Sequence, residues 1–350
     1  MAYKQESMRP RKSWRVRLLI LFVMSLVGFA VLELYVRAEV GAPMAERLPL
    51  LSVRSNPVRG FEMMEGIHYT YHHKVHVNSL GLRGPELEAK AEDEVRVFAV
   101  GDSLVYGQGV GDEETLPFYL EGELEELDPS GRPWTVVNGG HRGYDTRQEL
   151  ALIEEKQQEI QADVVVLFWF WNDFLERDIQ TSFAKLERRG PVVFDTGDRL
   201  EGRALRKWKA TQFVRRSALI MYLHDRIGRA TMEPFEDVFY ENGLKRLAHY
   251  LDRFKTLADR QGFVPVVAIL PDPNRLAGPH FTDWVDEGAA NVIREAALPQ
   301  MTFLDELLAL TRELDSLPIL PHDGHYAPPA NRVMARVAAR EILGLLPVGD

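Results

Sequence analysis

Val95-Arg96-Val97-Phe98-Ala99-Val100-Gly101-Asp102-Ser103-Leu104 is the stretch from which the rest of the chain can be read. Val95 to Val100 is apolar except for Arg96 and rich in valine, which predicts a strand. A glycine ends it and predicts a turn. A serine in a tight turn straight after a buried strand presents its hydroxyl at the carboxyl edge of the sheet. The helix that follows offers backbone N–H groups to an anion there. An ordinary capping serine after a Gly-Asp turn would look the same from this stretch alone. Asp102 is excluded as the acid of a catalytic relay, because neighbours in sequence cannot flank an intervening base.

Outward from this stretch the same rhythm recurs. A helix is predicted over Thr115 to Leu127, where Leu116, Leu120, Leu124 and Leu127 fall at helical spacing. Trp134 to Asn138 is a second strand, and Arg147 to Ile160 a helix with Leu150, Leu152, Ile153 and Ile160 on its apolar side. Asp163 to Trp171 is apolar on both faces and is expected at the centre of its sheet. A helix over Leu244 to Ala258 leads to the strand Val264 to Leu270; a weaker strand near Thr302 to Leu304 and a helix over Ala330 to Leu345 complete the series. Strands alternating with helices imply an α/β fold, a parallel sheet wrapped by helices on both faces. Residues 174 to 240 break the rhythm and are expected to form an insertion.

Ligands of such sheets sit where strands end. The second strand ends in Asn138-Gly139-Gly140-His141-Arg142-Gly143-Tyr144, whose paired glycines let backbone approach a substrate closely. The third ends in Phe170-Trp171-Asn172-Asp173, and an asparagine amide there is a fixed, uncharged donor suited to an oxyanion. Close to the C-terminus stands His322-Asp323-Gly324-His325. An imidazole takes a serine proton when a carboxylate orients it, and Asp323 lies two residues from His325. A metal site is the rival reading of this last motif. Each group has an ordinary turn or cap as its alternative; four of them at four successive element ends, in this order, point to a nucleophilic serine.

The N-terminal third has another character. Leu18 to Leu32 carries no charge over 15 residues, and Val16 and Leu34-Tyr35-Val36 extend the run towards the ~20 residues of a membrane span. Lys4, Arg9, Arg11, Lys12, Arg15 and Arg17 precede it against the single acid Glu6. That asymmetry predicts a basic cytoplasmic tail over 1–17, a membrane anchor over 18–36 and everything later outside the cytoplasm. A cleaved signal peptide, with Gly28-Phe29-Ala30 as its processing site, and a buried core helix are the alternatives. Residues 37–90 read as an irregular lead-in, with His72, His73 and His76 as polar residues on an extended segment rather than metal ligands. The chemical domain is expected over 91–347.

Composition narrows the function classes. The net charge of −10 argues against a general nucleic-acid binder, and the absence of cysteine excludes disulfides, zinc-thiolate sites and cysteine nucleophiles. Within the insertion, Arg203, Arg206, Lys207, Lys209, Arg215 and Arg216 interleave with Trp208, Phe213, Leu219 and Tyr222. They predict one basic amphipathic helix over about 199–229, read as a solvated surface helix, with a cover over the site, lipid headgroups or an acidic glycan as its alternative uses.

On these motifs the sequence resembles the GDSL/SGNH hydrolase family over roughly residues 78 to 345. Gly101-Asp102-Ser103-Leu104 is similar to its first block, Asn138-x-Gly140-x-x-Gly143-Tyr144 to its second and Asn172-Asp173 to its third. Asn78-x-x-Gly81-x-Arg83 is similar to a stretch of envelope-anchored members. The resemblance implies a flavodoxin-like three-layer sandwich, with Ser103, His325 and Asp323 as catalytic triad and the Ser103 and Gly140 N–H groups with the Asn172 amide as oxyanion hole. It implies a serine esterase of the bacterial cell envelope, held in the inner membrane with its catalytic domain in the periplasm or outside the cell, acting on an acyl ester of a glycan or lipid without metal or organic cofactor. An O-acyltransferase for an envelope glycan would use the same triad, and a catalytically silent scaffold would keep only the fold. The chain departs from the family where Phe170 replaces a glycine and where His322 replaces an aspartate. The latter leaves an Asp-x-His spacing similar to that of envelope polysaccharide acetyltransferases.

Overall fold

The computed structural model describes residues 14–346 except 177, 195, 232–235, 279 and 281, and of residues 229–231 the backbone only. Residues 1–13, with most of the expected basic tail, lie outside the described residues, as does residue 347. Trp14–Glu39 forms one helix (α1) of 26 residues, ~39 Å at 1.5 Å per residue. It is the one helix among the described residues long and apolar enough to cross a membrane, and nearly all of it is exposed.

The lead-in is more ordered than its sequence suggests. Ser52–Asn56 (β1) pairs antiparallel with Gly60–Met63 (β2), and Gly66–Thr70 (β3) with His73–Val77 (β4). These strands are short, and β1 offers one hydrophobic residue, Val53, so no apolar alternation announces them. His73 and His76 do lie on an extended strand. Asp112 meets His76 at 2.6 Å and Glu114 meets His73 at 3.7 Å, carboxylates that sequence neighbourhood alone does not offer.

The α/β series follows: Val95–Gly101 (β5), the single turn Ser103–Tyr106 (α2), Leu116–Leu127 (α3), Trp134–Gly140 (β6), Thr146–Ile160 (α4) and Val164–Trp169 (β7). Thr115 caps α3, accepting from the Phe118 N–H at 3.3 Å, and Asp145 caps α4 in a capping box with Gln148. The expected insertion holds Ile179–Arg189 (α5), Val192–Val193 (β8), Gly202–Arg215 (α6) and Ala218–Thr231 (α7). β8 pairs with β1, so this segment and the lead-in share a three-stranded sheet. Asp237–Gln261 (α8), Val264–Ile269 (β9), Asp283–Glu295 (α9), Gln300–Thr302 (β10), Leu304–Leu314 (α10) and Pro328–Leu345 (α11) close the chain.

All pairings in the main sheet are parallel, in the order β10-β9-β7-β5-β6. Counted along the series this is the 2-1-3-4-5 order of flavodoxin-like sheets. α3, α10 and α11 pack together on one side, and α4, α8 and α9 on the other. β7 sits in the middle, with all six of its residues buried, as its continuous apolar run requires.

Three expectations are corrected. The strand near 302–304 lies at 300–302, and Leu304 already begins α10. The helix expected from Leu244 starts at Asp237. The single basic helix over 199–229 is two helices, because Ser217 accepts the Ile220 N–H at 3.2 Å and starts α7 afresh.

Candidate active site

The carboxyl ends of β5, β6 and β7 converge beside α2. Gly101 ends β5 where a Cβ would lie 2.5 Å from the Val105 side chain and 3.0 Å from the Phe168 carbonyl, so only glycine lets the chain turn there. Asp102 caps α2: its Oδ1 accepts the Leu104 N–H at 2.8 Å. Ser103 is therefore the first helical residue, and its own N–H has no protein acceptor among the described residues.

Ser103 Oγ lies 2.9 Å from His325 Nε2. The other ring nitrogen, Nδ1, is bonded to Asp323 Oδ1, which also accepts the His325 backbone N–H at 3.0 Å. The loop carrying both is fixed to the sheet: the Tyr326 hydroxyl donates to the Pro271 carbonyl at 2.6 Å, just beyond β9. Serine, imidazole and carboxylate thus stand in the order a nucleophile–base–orienter relay needs, although 222 positions separate the first two.

The far oxygen of Asp323 carries two partners that sequence reasoning missed. The Tyr71 hydroxyl donates to Oδ2, and Gln108 Nε2 lies 3.4 Å from it. Tyr71 stands at the β3–β4 hairpin tip with φ +52°, a left-handed conformation uncommon for a tyrosine. That angle cannot be read from sequence, and nothing local marks the residue. Burial alone would raise the Asp323 carboxyl, but the His325 imidazole and the Tyr71 hydroxyl together hold it well below the ordinary carboxylate range. Burial and the Asp323 charge push Tyr71 up, so it stays a protonated donor.

Of the other expected oxyanion donors, Asn172 is beside the nucleophile's turn. It lies in the 3₁₀ turn Trp171–Phe174, and Nδ2 donates to Asp102 Oδ2 at 2.9 Å. An amide nitrogen has two hydrogens, and among the described residues the second has no acceptor. Gly140 packs on α2 so closely that a Cβ would collide with the Val105 and Tyr106 backbone. Its N–H is spent on Asn138 Oδ1 at 2.9 Å, so in this structure it is not an open donor, and the expectation placed on it is corrected. Phe170, where the family pattern has glycine, is buried at the end of β7 with its ring 5.9 Å from Trp171.

Arg83 of the lead-in is buried and clamps the segment after the nucleophile. Its guanidinium donates to the carbonyls of Tyr106, Gly107 and Val110 at 2.6–2.8 Å and to Asp112 at 2.9 Å. Asn78 and Gly81 make the turn before it: Asn78 Oδ1 accepts the Leu80 and Leu82 N–H groups, and Gly81 has φ +74°. Beneath the site Asp102, Glu149 and Asp173 are buried together, and neither Glu149 oxygen has a hydrogen-bond partner among the described residues. Burial first, then mutual repulsion, raises Glu149 and Asp173 well above the carboxylate range, and burial raises Asp102.

No protein-family model matches the sequence, and comparison with curated proteins gives no match. Among solved structures the chain is similar to TesA, at 15% identity and a TM-score of 0.42 over 72% of this chain and 99% of that one. It is similar to the lipase/acylhydrolase from Enterococcus faecalis at 14% identity and 0.42, over 73% and 99% of the two chains. The psychrotrophic esterase EstA from Pseudoalteromonas sp. is a third, at 13% identity and 0.41, over 71% and 97%.

Proposed function

We propose that this chain is a serine ester hydrolase of the GDSL/SGNH type, anchored in the bacterial inner membrane by α1 and acting on acyl esters of the cell envelope. The observation that carries the chemistry is the relay Ser103 Oγ–His325–Asp323 at the carboxyl edge of a parallel sheet. His325 Nε2 takes the Ser103 proton as Oγ attacks the ester carbonyl. The Ser103 N–H and the spare Asn172 N–H hold the oxyanion. As the intermediate collapses, the protonated imidazole returns the proton to the leaving alkoxide. Water, deprotonated by the same nitrogen, then releases the acid and regenerates Ser103. Asp323 keeps Nδ1 protonated throughout, with Tyr71 and Gln108 fixing its other oxygen. The charge asymmetry of the N-terminal segment supports the orientation.

The test is labelling of the full chain in detergent with a fluorophosphonate, beside Ser103→Ala and His325→Ala. Label on the wild type alone supports an activated serine. A folded wild type that takes no label overturns the reading.

A further inference from the structure

α7 and the end of α6 carry apolar side chains that stay exposed among the described residues. Ala218, Leu219 and Tyr222 turn inward onto Val36 of α1. Ile220, Leu223 and Ile227, on the opposite face at i, i+3 and i+7, stay in the open, with Ile227 61% exposed. Immediately before them stand Val214 and Phe213, the latter 75% exposed. α6 itself carries Arg203, Arg206, Lys207 and Lys209 and no acidic residue, while its Arg215 is paired with Glu46 at 3.0 Å.

The start of α7 is fastened to the end of α1. Glu33 of α1 accepts the Ala218 and Leu219 N–H groups at 2.9 Å and the Ser217 hydroxyl at 2.7 Å, capping α7 from another element. Arg37 donates to the Arg216 carbonyl at 2.6 Å. The same region touches the loop of the triad: His322 Nε2 lies 3.1 Å from the Gly41 carbonyl, and its Nδ1 lies 3.9 Å from Asp225 of α7.

We propose that Phe213, Val214, Ile220, Leu223 and Ile227 form a lipid-contact surface that enters the headgroup–acyl boundary of the bilayer crossed by α1, while the basic face of α6 meets anionic headgroups. The proposal rests on the reading of α1 as an anchor. An apolar helix face flanked by basic residues is the pattern of interfacial helices, and Glu33 brings the start of this helix to the point where α1 leaves the bilayer. The contact holds the loop of Asp323 and His325 beside the lipid.

The chain has no cysteine, so a single introduced thiol reports one position. Leu26→Cys, Leu223→Cys, Ile227→Cys and Arg260→Cys, each carrying a polarity-sensitive fluorophore, are reconstituted as full chains in phosphatidylcholine–phosphatidylglycerol vesicles with and without doxyl-labelled lipid. Arg260 lies at the far end of α8 and serves as the solvent reference. Expected is blue-shifted emission at 26, 223 and 227, quenched about twofold or more by the doxyl lipid, and none at 260. Quenching at 26 without quenching at 223 and 227 overturns the surface and leaves the anchor standing. No quenching at 26 overturns the anchor and the surface with it. A blue shift at 223 and 227 that doxyl lipid does not quench marks a protein partner, including a second copy, and overturns the proposal.

Discussion

At the scale of single residues, the Asp323 carboxylate does most to define the candidate centre, because four donors converge on it. One oxygen serves the imidazole and the backbone of His325; the other is held by Tyr71 and Gln108. Asp323→Asn would present an amide that favours the wrong imidazole tautomer, and kcat should fall about 10,000-fold with the fold intact. Tyr71→Phe removes one hydrogen bond to a charged group, so kcat should fall about 10-fold with KM nearly unchanged, read by steady-state hydrolysis of a short-chain ester. An equal loss in Asp323→Asn and in the double variant would confirm that Tyr71 acts through Asp323. Asn172→Ala should cost about 100- to 1000-fold in kcat if its spare N–H meets the oxyanion; a loss of thermal stability without that kinetic loss would reduce Asn172 to a partner of Asp102. Ser103, Asp323 and His325 could be singled out as candidates because each stands at the edge of an element, Ser103 just after β5 and the other two just before α11. Tyr71 could not, since it lies 252 positions from the carboxylate it serves. Neither could the bond from Gly140 to Asn138, which depends on backbone orientation.

At the scale of elements, the lead-in is part of the site's construction. Arg83 holds the turn after α2 by three carbonyls and Asp112, and the β3–β4 hairpin delivers Tyr71. Arg83→Met keeps the stem but takes the guanidinium donors away from those acceptors. It should cost about 3 kcal/mol of stability and lower kcat as the segment after Ser103 loosens, seen in thermal melts beside ester turnover. The elements of the central sheet could be read from sequence because β5, β7 and β9 are apolar nearly throughout and their helices alternate regularly. β1 to β4 could not, because they are four or five residues long and pair with partners, such as Val192–Val193, that only the folded chain supplies. The break between α6 and α7 is similar: beside the local Ser217 cap, a second capping group, Glu33, sits on the N-terminal helix.

At the scale of the whole molecule, charge is distributed against stability under the sheet. Glu149 is buried beside Asp102 and Asp173 with no hydrogen-bond partner among the described residues, and burial raises its pKa in the folded state. A carboxyl raised on folding costs nothing while it is protonated in both states. Stability is lost as pH climbs above the unfolded value, about 4.3, towards the folded one. Glu149→Gln should therefore melt roughly 3–6 °C higher than wild type near neutral pH, with the gap closing towards about pH 4. A constant gap at every pH would assign the effect to packing instead.

The Glu33 cap has a practical corollary for making the protein. A soluble form trimmed at the apparent end of the hydrophobic stretch, near residue 38, would discard Glu33 and Val36, leaving α7 with the Ser217 cap alone and without its packing partner. Such a fragment would suffer where the anchor was thought to be dispensable. Trimming before Glu33, or strengthening the local cap of α7 with an acid through Ser217→Asp, respects how this fold is fastened.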